Sequence, residues 1–190
     1  LSPRRPTSRK KRPTKANDRT GAYVEITVET IKALREEMGA GVMDAKRALE
    51  EAQGNLDKAR EILRERGVAS AVKKTGRSAN EGLIEAYIHG GGRVGVIVEV
   101  NCETDFVTRT DDFKDLAHNL AMQVAAMSPK YVEESDIPDD EKADPTEVAL
   151  MSQPYIKDAS LSIKDVVLEA AGRLGENIKI KRFTRFALGE

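Results

Sequence analysis

The chain has 190 residues, enough for one medium domain or two small ones, of which 39% are hydrophobic and 33% charged. Aromatics make up only 4% and Trp is absent, so a core has to rest on Val, Ile, Leu and Ala, and no apolar run approaches the roughly 20 residues of a membrane-spanning helix. The net charge of −1 hides a division: residues 1–19 hold eight Lys/Arg against the single acid Asp18, giving +7, and the remainder carries −8.

Residues 1–23 read as a basic tail. The stretch Leu1–Asn17 has three prolines, no large apolar residue after Leu1 and no periodicity, so it cannot offset its ordering entropy and is predicted to be disordered. Such a tail is either a solvated extension or a weak contact to RNA or ribosome through phosphates. Its acid-poor, Arg/Ser-rich composition is faintly like an organelle transit segment but is not amphipathic, and a first residue other than Met fits processing or excision.

Helical spacing begins after Val24. Thr27 can cap a helix carrying Ile31, Leu34 and Met38, which Gly39-Ala40-Gly41 breaks. A second helix places Met43, Ala45, Ala48, Leu49 and Ala52 on one stripe and stops at Gly54. Asn55 or Asp57 opens a third, with Leu56, Ala59, Ile62 and Leu63 inward and Gly67 as its stop. Residues 24–72 thus make a three-helix unit whose core is marginal alone, and 73–81 read as a polar linker.

From residue 82 the period becomes two. Ile84, Ala86 and Ile88 alternate, Gly90-Gly91-Gly92 turns, and Val94, Val96, Val98 and Val100 alternate again, a β-hairpin pattern. Cys102, the only cysteine, excludes an internal disulfide framework. It reads as a small apolar strand residue beside a loop, with an intermolecular bridge as the alternative. A helix then carries Phe113, Leu116, Ala117, Leu120 and Val124, with Pro129 past its end. Residues 133–147 are acidic and proline-bearing, hence a loop, followed by a short helix over Thr146–Ser152. Ser162 can cap a helix with Ile163, Val166, Val167 and Ala170, ended by Gly175. A last strand, Ile178–Leu188, slips its alternation between Ile180 and Phe183, which predicts a bulge. The fold class is α+β: an N-terminal three-helix unit, a linker, and an antiparallel-sheet-plus-helices core over 82–190.

No pattern of enzyme chemistry appears. His89 and His118 lack metal-ligand spacing, no glycine-rich phosphate loop occurs, and no signature joins Cys102 to either histidine. The paired carboxylates Glu103 and Asp105 are too little to define a site, so no metal or cofactor is expected. Two segments stand out instead. Residues 39–46, GAGVMDAK, display Val42 and Met43 after a tight break. Residues 101–107, NCETDFV, place one aromatic, Phe106, on a polar loop after a valine strand, either as a plug over the core or as an anchor for a partner.

These segments carry a resemblance. NCETDFV and GAGVMDAKRAL are similar to the two signatures of the elongation factor Ts family, EGLIEAYIHGGGRVGVIVEV resembles the hairpin leading to the first, and PYIKD and GENIKIKRFTRFALGE resemble its C-terminal end. The likeness runs collinearly from about Ile26 to Glu190. It implies a ubiquitin-associated-like helical domain, a linker and an α+β core, with elongation factor Tu as partner and guanine-nucleotide exchange as activity. It implies that Asp105 and Phe106, flanked by Thr104 and Val107, enter the partner's G domain beside the magnesium and phosphate site. Arg35, Val42, Met43 and Lys46 would dock on another helix of that domain, Val42 standing where Met is more usual. The chain has no heptads for the coiled-coil arm of longer members, so it resembles the short form, some members of which act as dimers. The bacterial cytoplasm is the expected location, with an organelle matrix or stroma as the alternative. A non-catalytic adaptor that binds Tu or a ribosomal partner is the alternative function.

Overall fold

Local capping chemistry starts each long helix. In the computed structural model, which describes residues 23–190, α1 (Val28–Met38) opens where the Thr27 hydroxyl accepts the Thr30 N–H and Thr30 answers by accepting the Thr27 N–H at 2.9 Å. Gly39, at φ 60°, closes it in the left-handed conformation. Helix α2 (Val42–Glu51) follows, and Asn55 caps α3 (Leu56–Val72) by accepting the Lys58 N–H at 2.9 Å. Leu34, Ala45, Ala48, Leu49, Ala52, Ala59 and Leu63 form their common core. The basic tail lies outside the described residues except for Tyr23, which bridges to Asn55.

Two expectations here need correction. Gly67 does not stop α3, which runs on to Val72. The glycine instead sits where α3 crosses a later helix, at a backbone approach too close for a larger residue on the other side. Met43 is not on the inward stripe but more than half exposed. The inward residues Ala45, Ala48, Leu49 and Ala52 keep spacings of three and four, whereas Met43 is three and four residues from Lys46 and Arg47 and shares their outward face.

The sheet is antiparallel in the order β1 (Glu81–His89), β2 (Val94–Cys102), β5 (Lys179–Ala187). Gly90, Gly91 and Gly92 all take positive φ in the hairpin turn, which explains the glycine run. Opposite β2, Glu99 pairs Arg182 but Val100 pairs Ile180, so Lys181 is the extra residue of the bulge that the slipped alternation predicts. Val96, Val98 and Val100 face the core with Leu83, Tyr87 and Phe183. The alternating Ile84, Ala86 and Ile88 mark the opposite, outward face, where Ile84 and Ile88 are each 66% exposed.

Between the strands lie α4 (Asp105–Thr108), α5 (Asp111–Met127), α6 (Pro145–Val148) and α7 (Ile163–Leu174). Phe113, Leu116, Leu120 and Val124 of α5 and Ile163, Val167 and Ala170 of α7 complete the main core. Ser162 and Asp165 form a capping box on α7, and Gly175 at φ 78° ends it, as the sequence predicts. The helix expected over Thr146–Ser152 is divided: Ala149, extended at φ −102°, separates α6 from a 3₁₀ turn, Leu150–Ser152. A small hairpin follows, β3 (Pro154–Tyr155) and β4 (Asp158–Ser162). Buried Gln123 and Gln153 staple this region to α5. Gln123 donates to Gln153 Oε1 and Pro154 O and accepts the Ile156 N–H, while Gln153 donates to Glu147 O. Among the described residues no helix is long and apolar enough to cross a membrane.

Candidate functional site

Strand β2 ends at Cys102, and the chain turns at once into the one-turn helix α4. Adjacent residues on a helix point about 100° apart, so a single turn can bury one of Phe106 and Val107 and expose the other. Val107 is buried at 8% exposure and Phe106 is 74% exposed. The plug over the core is therefore Val107, and the aromatic ring stands in solvent. Asp105, half-buried beside it, pairs with Arg109 one turn on.

The turn before α4 is braced from a distance. Glu176 accepts the N–H groups of Glu103 and Thr104, each at 3.0 Å, and the Thr104 hydroxyl at 2.5 Å. Glu103 in turn accepts the Asn177 N–H at 2.7 Å and faces Arg77 at 3.4 Å. That N–H, and then the Arg77 charge, hold the Glu103 carboxyl below the usual carboxylate range. Cys102 is fully buried and its Sγ donates to Thr104 O. Burial, followed by the Glu176 charge, pushes its thiol up to about 11, the opposite of what a nucleophile needs.

The second candidate surface is the outer face of α1 and α2. Val42 and Met43 are each 56% exposed at the start of α2, Lys46 lies one turn further and pairs loosely with Glu50 at 3.7 Å, and Arg35 is exposed in the last turn of α1. Val42 and Met43 thus form a bare apolar pair with the Lys46 side chain one turn along. The two histidines lie elsewhere: His89 Nδ1 meets the Tyr87 hydroxyl and His118 Nδ1 meets Glu85, each at 2.9 Å. No group of three or more His, Cys, Asp or Glu side chains among the described residues could hold a metal ion.

The sequence profile of the family described as Elongation factor TS matches residues 18–146. Elongation factor Ts of Carboxydothermus hydrogenoformans is 48% identical, over 87% of this chain and 90% of that protein. Those of Coprothermobacter proteolyticus and Thermotoga neapolitana are each 46% identical, over 88% of this chain and 100% and 99% of theirs. The chain belongs to the elongation factor Ts family. The alignment to the first relative spans 195 positions, more than the 190 residues present here, so that elongation factor Ts carries residues that this chain lacks.

Set against this elongation factor Ts background, Glu176 and Asn177 are the residues that sequence reasoning missed. They lie within the quoted C-terminal stretch, directly after the helix stop Gly175, but their partners are more than 70 residues away. The one local signal is a Glu-Asn pair between a helix end and a strand.

Proposed function

We propose that the chain is a guanine-nucleotide exchange factor for elongation factor Tu, acting in translation elongation. The observation that carries this reading is the 74% exposed Phe106 on a braced loop, in a chain of the elongation factor Ts family. An exchange factor needs no acid, base or nucleophile. It has only to bind nucleotide-free Tu more tightly than GDP-bound Tu, and linkage then obliges it to weaken GDP by the same factor. Phe106 would act as a wedge displacing side chains near the magnesium and phosphate site. Asp105, released from Arg109, would bring a negative charge to the same place. Thr104 and Val107 hold the two in position.

The energetics require a second contact. A ten-thousandfold acceleration of GDP release corresponds to about 5.5 kcal/mol, whereas burying one Phe yields about 1.5–3 kcal/mol. Arg35, Val42, Met43 and Lys46, on the helical unit that resembles ubiquitin-associated domains, would supply the remaining binding energy. The same reading places the protein in the bacterial cytoplasm, where Tu works.

The test is release of fluorescent GDP from Tu with the parent protein, Phe106→Ala and Met43→Asp. Acceleration by the parent, loss of maximal rate in Phe106→Ala, and a raised half-saturating concentration in Met43→Asp are the expected results. Full activity of Phe106→Ala would remove the wedge, and binding without acceleration by the parent would favour the adaptor.

A homodimer belongs to the same proposal. The outward sheet face bears Ile84, Ile88, Ile97 and Phe186, at 66%, 66%, 50% and 69% exposure, beside the Glu99–Arg182 ion pair at 2.8 Å. A second copy laid face to face would cover this surface, as the likeness to dimeric short members suggests. Sedimentation of the parent as a dimer and of Ile97→Lys as a monomer is expected, and a monomeric parent would refute it. Contact of residues 1–19 with RNA would appear as a steep salt dependence lost on their deletion.

A further inference from the structure

The turn between α7 and β5 touches both the loop before α4 and the segment that follows α3. Its Glu176 takes three hydrogen bonds from the loop: both N–H groups of Glu103 and Thr104 and the Thr104 hydroxyl. Its Asn177, buried, gives one N–H back to Glu103 and donates its side-chain amide to the carbonyls of Thr75 at 3.2 Å and Arg77 at 2.7 Å, in the segment that follows α3. Lys74 Nζ reaches the carbonyl of Gly175 in the same turn at 2.7 Å. Thr104 occupies the N-cap position of α4, yet its side chain caps nothing in that helix. The hydroxyl is committed to Glu176 instead. A carboxylate 72 residues away, and not a local cap, thus holds the backbone at the point where α4 leaves the strand.

We infer that Glu176 is a positioning residue for nucleotide exchange, holding the Glu103–Thr104 backbone so that Asp105 and Phe106 meet the partner in one geometry, with Asn177 tying that geometry to the segment leading from the helical unit. This rests on the exchange reading above. The physical reason is that an unbraced loop must be ordered at the moment of docking, and its lost backbone freedom is subtracted from the free energy that displaces the nucleotide. A brace that orders the loop beforehand removes that cost. Glu176 reaches the loop through the Glu103 and Thr104 N–H groups and the Thr104 hydroxyl, so its loss should act through Thr104 and Phe106.

The experiment compares the parent, Glu176→Ala, Glu176→Gln and Phe106→Ala in two measurements. Amide hydrogen exchange of the free protein reads the brace directly. Glu103 and Thr104 should exchange about tenfold faster in Glu176→Ala, the size of one lost charge-assisted hydrogen bond, while Val98 and Val100 of the core strand keep their protection. GDP release from Tu reads the consequence. Glu176→Ala should lose about tenfold in maximal rate with little change in half-saturating concentration, and Glu176→Gln, which keeps one acceptor oxygen, should regain part of it. Unchanged amide exchange at Thr104 in Glu176→Ala would overturn the inference. So would a parent-like rate in Glu176→Ala when Phe106→Ala is slow, which leaves the wedge standing. A parent-like rate in Phe106→Ala removes the wedge, and the positioning role falls with it, whereas no acceleration by the parent removes the exchange reading itself. Should Glu176→Ala lose core protection too, the near-isosteric Glu176→Gln decides by the same readouts.

Discussion

Two glycines face each other where α3 crosses α7, and they should respond oppositely to the same substitution. A Cβ built on Gly172 would lie 2.5 Å from the carbonyl carbon of Gly67, 2.7 Å from its oxygen and 2.9 Å from its Cα. All three are backbone atoms, so no side chain can swing aside and the helices must part. A Cβ on Gly67 would meet only Gly172, at 3.7 Å and 3.8 Å, an ordinary van der Waals contact. Alanine in a helix interior gains about 0.8–1 kcal/mol over glycine, and that gain should appear undiminished in Gly67→Ala. In Gly172→Ala it is set against an overpacking cost of about 1–3 kcal/mol. The two variants should therefore differ by about 1–3 kcal/mol, with Gly67→Ala the more stable. For a chain of this size each kcal/mol moves the melting temperature by about 2–4 °C, so parallel thermal and urea unfolding resolves the difference. Equal stabilities, or a more stable Gly172→Ala, would show that the crossing is not as tight as the backbone distances state.

Three further outcomes follow from the site. With its thiol near 11 against an ordinary 9.0, native Cys102 should react with iodoacetamide at pH 8 about a hundredfold more slowly than the unfolded chain on thiolate fraction alone; comparable rates would contradict its burial. Glu103, flanked by Arg77 and Lys74, has its carboxyl lowered by the Asn177 N–H. A lowered carboxyl contributes stability that is fully present above the ordinary carboxylate range and is lost as pH falls through its folded value. Glu103→Gln should accordingly melt below the parent at pH 7, and the gap should close on acidification below pH ~4.5; a gap independent of pH would refute the assignment. Gln123→Leu strands the Ile156 N–H and the Gln153 and Pro154 acceptors. It should cost about 1–3 kcal/mol in urea unfolding, and a neutral substitution would mean that the staple is dispensable.

What the sequence made legible is what short-range chemistry decides. Thr27, Asn55 and Ser162 announce helix starts because a cap needs only a side-chain oxygen within three residues, and Gly39 and Gly175 announce ends because only the left-handed region is required of them. The glycine hairpin and the bulge at Lys181 were readable because strand alternation has an exact period, and one extra residue breaks it visibly. Gly67 misled because glycine also permits close helix crossing, and the partner that uses it, Gly172, is 105 residues on. Ile84 and Ile88 alternate correctly, but period two cannot say which face of a sheet is covered. Phe106 posed the same difficulty on a smaller scale. Plug and anchor differ by one helical position, and the decision was made by Val107 taking the inward side.

Helix α7 joins the two candidate surfaces mechanically. Its last turn receives α3 at Gly172, supported by the half-exposed Arg64–Glu169 pair at 3.2 Å, which adds little by itself. The turn that follows α7 supplies Glu176 and Asn177 to the loop. At 12 residues it spans about 18 Å as one rigid rod. If exchange needs both the wedge and the helical face, as the shortfall of one buried Phe implies, then the angle at which α3 leaves α7 decides whether both dock at once. Parting the helices at Gly172 would tilt α3, and with it Met43 and Lys46, away from that geometry. Gly172→Ala should then slow GDP release even at temperatures where it remains folded, and Gly67→Ala should not. Unimpaired exchange by folded Gly172→Ala would mean that the two surfaces dock independently.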